Sequence, residues 1–372
     1  MINPLDLKNI LKTQSINFFS GVPDSCCLEF CKSIENDKNI ENIVAVNEGN
    51  AVAIGLGHYL STKKIPCIYL QNSGLGNATD PLTNLCNKEV YNIPMLLIIG
   101  WRGAPGIKDE AQHIIQGKVL LNTLKSYNIP NIQLKNKINK KEIINLIKKI
   151  KSKNIIGAIL VKPKTFQKIQ SKKKYISKKI KNNKNYLRRS DVIENTLNLI
   201  EKNTKIIGSV GFNSREIYQI RKERKINKGK DFLLIGGMGH TFAVSQIIAK
   251  NNPKNQVVCI DGDGSFLMHL GSFLTNEIFQ KNLKYLLINN NSHESIGNIK
   301  INKKINYEKI AKAFNFKKYF YLKEKKLLKR KIKSFLKCKG PAFLEASVNL
   351  GTLQNLERPK KFKVIKKNFL RK

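Results

Sequence analysis

Two short apolar runs, each ending in small oxygen-bearing residues, constrain this chain more than any other feature. Val257-Val258-Cys259-Ile260 leads into Asp261-Gly262-Asp263-Gly264-Ser265. Leu286-Leu287-Ile288 leads into Asn289-Asn290-Asn291-Ser292, and Asn290 lies 27 residues after Asp263. Each run suits a buried strand, and open α/β sheets bind ligands at the carboxyl ends of their strands. Asp and Asn side chains with a backbone carbonyl are hard oxygen donors, the set Mg²⁺ takes when it also holds phosphates. The glycines allow a tight turn and let a phosphate approach backbone N–H groups. The pair reads as a metal–diphosphate site.

The rest of the chain repeats that alternation. In the first half, strands are expected at Ile16–Phe19, Ile43–Val46, Cys67–Leu70, Met95–Ile99 and Ile155–Val161. Helices are expected through Leu28–Ile34 (capped by Asp24 or Ser25), Ala51–Leu60 and Glu142–Ile150. In the second half, Ser190 is the expected N-cap of a helix over Asp191–Ile200. Strands follow at Lys205–Ser209, Phe232–Ile235, Val257–Ile260, Tyr285–Ile288 and Ala342–Ala346. No short internal repeat is visible. The expected fold class is α/β, with two doubly wound parallel-sheet domains. Their boundaries are 1–163 and 189–360, with a Lys- and Asn-rich basic linker at 164–188 that leaves no room for a central domain. The basic tail, 361–372, is expected to be partly disordered.

The chain has 372 residues and is 41% hydrophobic, enough for two cores. No apolar stretch approaches the roughly 18–20 residues that span a bilayer. Met1–Asn9 lacks a basic-then-apolar leader pattern, so the expectation is a soluble cytoplasmic protein without a membrane partner. The seven cysteines form no C-x-x-C pair and read as reduced core thiols. The net charge of +42 raises nucleic acid as a partner, but the excess is Lys spread over helix faces and linkers, with little Arg. No nucleic-acid role is expected; the charge would draw in anionic small molecules.

Gly236-Gly237-Met238-Gly239-His240 precedes the Asp263 loop, and Asn47-Glu48-Gly49-Asn50-Ala51 lies in the first half. With the Asp263…Asn290 spacing, these elements resemble the thiamin-diphosphate (ThDP) enzymes. Several further stretches resemble the branch of ThDP decarboxylases that acts on phosphonopyruvate. They are Gly21-Val22-Pro23-Asp24-Ser25, Gln71-Asn72-Ser73-Gly74, Trp101-Arg102-Gly103, Lys108-Asp109-Glu110-Ala111-Gln112-His113, Ser214-Arg215-Glu216 and His293-Glu294-Ser295. The resemblance spans about Phe18 to Pro359. Asn291-Ser292 stands where that branch has Gly-Ala, and Asn298-Ile299 where it has Gly-Gln.

The resemblance implies roles. Asp263, Asn290 and the Ser292 carbonyl would bind Mg²⁺. Gly262, Gly264 and Ser265 would meet the diphosphate. Gly236 and Met238 would hold the aminopyrimidine and bend the cofactor, and Asn72 and Ser73 would contact it from the first domain. Glu48 would exchange a proton with the pyrimidine ring, its burial favouring the protonated form. Asp24, Ser25 and His113 would serve catalysis. Arg102, Lys108, His293 and Glu294 would meet the substrate, a small anionic 2-oxo acid. The implied reaction is decarboxylation of 3-phosphonopyruvate to phosphonoacetaldehyde and CO₂, in phosphonate biosynthesis. The implied assembly is a homodimer or higher homo-oligomer with sites at subunit interfaces. The alternatives are decarboxylation of sulfopyruvate or another anionic 2-oxo acid, a ThDP synthase or lyase, and a non-catalytic nucleic-acid binder.

Overall fold

The computed structural model describes residues 1–35, 37–169, 187–274, 280–301 and 305–371. The chain divides into two compact units, Met1–Ser177 and Lys178–Lys372.

The first unit opens with α1 (Pro4–Thr13), β1 (Phe18–Gly21), α2 (Leu28–Glu35), β2 (Glu41–Val44) and α3 (Glu48–Thr62). It continues with β3 (Cys67–Gln71), α4 (Leu75–Asn84), β4 (Met95–Gly100) and α5 (Ala111–Ser126). It closes with β5 (Asn131–Gln133), α6 (Lys140–Lys153) and β6 (Ile156–Val161). The six strands are parallel, in the order β2-β1-β3-β4-β6-β5. The interior strands β3, β4 and β6 are almost wholly apolar because both faces are covered. Cys67, Tyr69, Leu96 and Ile98 face one core, while Ile68, Leu70, Leu97 and Ile99 face the other. Each fully buried aliphatic side chain contributes roughly 1.5–3 kcal/mol.

The second unit begins with α7 (Arg189–Leu199), β7 (Lys205–Gly208), α8 (Phe212–Arg224), β8 (Lys230–Leu233) and α9 (Thr241–Asn251). Next come β9 (Val257–Gly262), α10 (Asp263–Met268) and β10 (Leu283–Asn289). A small antiparallel pair follows, β11 (Ser292–His293) and β12 (Ile299–Lys300). The unit ends with α11 (Tyr307–Ala313), β13 (Lys318–Leu322), α12 (Leu328–Lys337), β14 (Ala342–Ser347) and α13 (Phe362–Leu370). Its large sheet is also parallel, ordered β13-β14-β10-β9-β7-β8. Taken from the other edge and counted within the six-stranded sheet alone, that is the order of the first sheet, strand for strand. The α/β expectation of two parallel sheets holds.

Several local expectations change. Ser190 is not the N-cap of α7: Arg188 is, with the Asp191 carboxylate accepting its backbone N–H at 3.1 Å. The strands β5, β11, β12 and β13 and the helices α1, α4, α5, α8, α9, α11 and α12 are additional to the expected elements. The tail forms α13, whose Phe369 packs on Phe232 and takes the Lys205 ammonium over its ring. Most of the expected linker lies outside the described residues. Its first residues pack on the first unit through a bridge between Phe166 and Ile2, and its last, Arg188, bridges to Asn349. Among the described residues no helix is long and apolar enough to cross a membrane. All seven cysteines are free, six of them buried.

Candidate active site

In the first unit the chemistry gathers at the carboxyl ends of β1 to β4. Asn47 caps α3 by accepting the Asn50 N–H at 2.8 Å, and so places Glu48 in the first helical turn. Glu48 is buried, at 6% exposure. Its Oε2 accepts a hydrogen bond from Asn77 Nδ2 at 2.8 Å. Its Oε1 passes over Gly74, where a Cβ would collide with it. Asp24 is also buried, at the end of β1. Its Oδ1 accepts the N–H groups of Cys26 and Cys27, as a cap of the turn into α2. Its Oδ2 is buried without a hydrogen-bond partner among the described residues. Burial pushes the Asp24 carboxyl up, against the pull of those N–H groups.

Arg102 follows β4. It donates from Nε to Asp109 Oδ2 at 2.7 Å, from Nη2 to Asp109 Oδ1, and from Nη1 to Ser25 Oγ at 3.0 Å. Asp109 also accepts the N–H groups of Gly103 and Glu110, both at 2.8 Å. Burial would raise its carboxyl, but Arg102 and these N–H groups outweigh it and hold the carboxyl well below the usual range. Arg102 is thus paired across the loop rather than a bare cation, and Asp109 is a partner that sequence reasoning missed. Asn72 commits both amide atoms to the Arg102 backbone, Nδ2 to its carbonyl at 2.9 Å and Oδ1 from its N–H at 3.1 Å. Ser73 is exposed, and its Oγ accepts from Gln71 Nε2 at 2.6 Å. Lys108 is exposed. His113 is buried in the first turn of α5.

In the second unit the expected loop after β9 is the start of a short helix, with Asp263 as its first residue. Phe266 anchors that helix among Phe273, Tyr285, Tyr307 and Phe343. Asp263 Oδ1 accepts the Gly264 N–H at 2.8 Å, and Oδ2 accepts the Asn290 N–H at 3.1 Å. Burial raises its carboxyl to about 6, although the surrounding N–H groups pull the other way. Asn290 Oδ1 accepts the Ser292 N–H at 3.1 Å, and its Nδ2 donates to Glu294 Oε2 at 2.8 Å. Asn291 and Asn298 stand at φ +54° and +60°. These are the positions where the resembled branch has Gly, and Asn is among the few other residues that tolerate such backbone. The Gly-rich turn after β8 is tied to the same helix by the Gly239 N–H, which donates to Ser265 Oγ at 3.1 Å. Gly264 permits a close approach: a Cβ there would stand 2.7 Å from the His293 ring and 3.2 Å from Met238 Cε. Burial pulls the His293 imidazole down to about 4.

The donors fit a divalent cation held jointly with phosphate. A carboxylate and an amide oxygen with a lone pair to spare converge at one loop. Among the described residues no group of three or more His, Cys, Asp or Glu could hold a metal alone, so the remaining ligands would be a backbone carbonyl, phosphate and water. Gly262, Gly264 and Ser265 border the same loop, and Gly236 and Met238 lie on the turn that Gly239 ties to it.

This fold and this donor loop define a class. The family model "Thiamine pyrophosphate enzyme, N-terminal TPP binding domain" matches residues 6–124. The model "Thiamine pyrophosphate enzyme, C-terminal TPP binding domain" matches residues 207–346. The chain belongs to the thiamine pyrophosphate enzymes. It is 26% identical over 373 residues to phosphonopyruvate decarboxylase of Streptomyces viridochromogenes, covering 97% of this chain and 92% of that one. It is 42% identical over 103 residues to sulfopyruvate decarboxylase subunit alpha of Methanocaldococcus jannaschii, 28% of this chain and 59% of the relative. Subunit beta from the same organism is 32% identical over 131 residues, 34% of this chain and 66% of the relative.

Proposed function

We propose that the protein decarboxylates 3-phosphonopyruvate to phosphonoacetaldehyde and CO₂, with ThDP and Mg²⁺, as a step in phosphonate biosynthesis. The observation that carries this reading is end-to-end similarity to a phosphonopyruvate decarboxylase, with both domain models in one chain. The sulfopyruvate relatives are instead named as separate alpha and beta subunits, each matching about a third of this chain or less. Bound ThDP would supply an acceptor for the electron pair left when CO₂ departs. Asp263, Asn290 and Ser292 would hold Mg²⁺, and Gly262, Gly264 and Ser265 would receive the diphosphate. Gly236 and Met238 would support the rings.

The chain's own groups handle protons. Asn77 occupies Glu48 Oε2, so Oε1 is the atom that would carry a proton. Asp24 would hold one at Oδ2, the oxygen without a partner among the described residues. His113 would shuttle protons near neutral pH. Arg102, kept in place by Asp109, would orient Ser25 and lend positive potential to an anionic substrate. Lys108 would add to that potential from the protein surface, while His293, uncharged near neutral pH, would border the donor loop as a hydrogen-bonding group.

The protein would work in the cytoplasm as a homodimer or larger homo-oligomer. In support of association, α5 exposes Ile114, Ile115 and Val119. Light scattering on the purified protein tests that directly, and a monodisperse active monomer would refute it.

Purified protein with both cofactors should release CO₂ from 3-phosphonopyruvate and yield phosphonoacetaldehyde. Release from sulfopyruvate alone would overturn the substrate assignment. That second reading is favoured by one observation, the higher local identity to the sulfopyruvate alpha subunit.

A further inference from the structure

Behind the donor loop lies a buried ionic cluster that the proposed chemistry does not use. Glu294 directs its carboxylate inward. Its Oε2 accepts from Arg189 Nη2 and from Asn290 Nδ2 (2.8 Å), and its Oε1 accepts the Gly351 N–H. Arg189 is buried, at 3% exposure, with its guanidinium over the Phe212 ring. Its Nη1 stands 3.6 Å from Oε1 of Glu216, which is fully buried and accepts the Leu353 N–H at 3.2 Å. Glu294 thereby joins α7, the donor loop and the chain after β14.

We infer that Glu294, clamped by Arg189, is a positioning residue that fixes which face of the Asn290 amide points at the cation. A side-chain amide has a donor end and an acceptor end of nearly equal shape. A carboxylate only accepts, so it holds Nδ2 on its own side and leaves Oδ1 on the other, toward the Ser292 N–H. Without that constraint the amide can turn over and offer an NH₂ group to the metal. Arg189 keeps the Glu294 carboxylate in place, because a buried guanidinium without its partner is costly. This inference rests on the proposed metal role of Asp263 and Asn290. It removes Glu294 from the groups expected to meet substrate.

The test is binding of Mn²⁺, which takes the same oxygen donors as Mg²⁺, by the full-length protein with ThDP, read from the EPR signal of free Mn²⁺. Glu294→Gln, which can donate as well as accept, should weaken Mn²⁺ binding by about 10–100-fold, the usual effect of losing an outer partner. Glu216→Gln, which touches Arg189 but not Asn290, should leave it within about 2-fold on the same scale. Glu294→Asp keeps a charge for Arg189 while withdrawing the oxygen from Asn290, and should weaken binding in the same direction even if the Gln variant fails to fold. A purely structural role would lower the melting temperature and leave Mn²⁺ affinity of the folded protein unchanged. Wild-type affinity in a folded Glu294→Gln or Glu294→Asp variant overturns the inference. A wild type that binds no Mn²⁺ with ThDP overturns the metal-loop reading itself, and the inference with it.

Discussion

The two units share one strand order, yet the same position in each carries opposite chemistry. In the first, the residue after β3 is Asn72, and its Oδ1 accepts the N–H of Arg102 just beyond β4. In the second, the residue after β9 is Asp263, and its Oδ2 accepts the N–H of Asn290 just beyond β10. β3 and β9 correspond in the shared order, as do β4 and β10. The same tie therefore stitches neighbouring strand ends in both units. Asn72 also donates to the Arg102 carbonyl, so its amide is spent on the fold. Asp263 keeps a charge and spare lone pairs, which is what a cation requires. One side-chain difference separates a structural stitch from a candidate metal ligand. The first unit places its carboxyl elsewhere, as Glu48 at the start of α3.

This contrast can be broken by experiment. The largest effect should come from Glu48→Gln, which keeps the shape and the Asn77 contact but removes the proton carrier. Turnover should fall by about 10²–10⁴-fold, the usual worth of a general acid–base group. ThDP and Mg²⁺ binding, measured by calorimetry, should persist; near-normal turnover would refute the role. Asp263→Ala should do the reverse and abolish metal-dependent cofactor binding. The expected loss exceeds about 100-fold, beyond the range for outer partners. Unchanged Mg²⁺ dependence would refute the assignment.

Smaller effects concern stability. Burial raises the Glu216 carboxyl to about 7, although Arg189 opposes the shift. Below the unfolded value of about 4.5 both states are protonated and the group has no effect. As pH rises from there to about 7, the unfolded state loses its proton first, so wild type loses stability by roughly 3 kcal/mol. Glu216→Gln should lack that slope. Urea unfolding at pH 5 and pH 8 measures the difference between the two proteins, and parallel profiles would refute the shift. The smallest effect should be Asn72→Ala, which takes the side-chain donor from the Arg102 carbonyl and leaves its N–H only the longer bond to the Gly100 carbonyl at 3.3 Å, at a cost of about 1–3 kcal/mol. Metal binding should not change, since the stitch in the first unit carries no ligand role.

The interior of both sheets was legible because parallel strands covered on both faces must be continuously apolar. The runs Cys67–Leu70, Met95–Ile99 and Tyr285–Ile288, inside β3, β4 and β10, announce themselves in this way. Of the strands that escaped, β5 and β13 hold the same outer position in the two sheets. Edge strands are half-solvated: Asn131-Ile132-Gln133 holds a single apolar residue, and Tyr319-Phe320-Tyr321-Leu322, though apolar, is only partly buried and is rich in Tyr, which can face water. The C-terminal helix was hidden for a related reason. Lysines interrupt its apolar residues, and one buried residue, Phe369, anchors its end. The duplication was invisible too, because it lies in strand order and hydrogen bonding rather than in repeated residues.

By itself the sequence determined the α/β class, the strand ends that carry chemistry, and the oxygen-donor character of the Asp263–Asn290 pair. These follow from local pattern, since burial on two faces and the spacing of small polar residues leave a trace in order alone. Only the tertiary structure decided which polar groups are already spent. Asp109 on Arg102, the Arg102 backbone on Asn72, and Arg189 on Glu294 join residues 7, 30 and 105 positions apart. A hydrogen bond is a property of two positions in space, and a linear chain records neither the distance nor the direction that makes one.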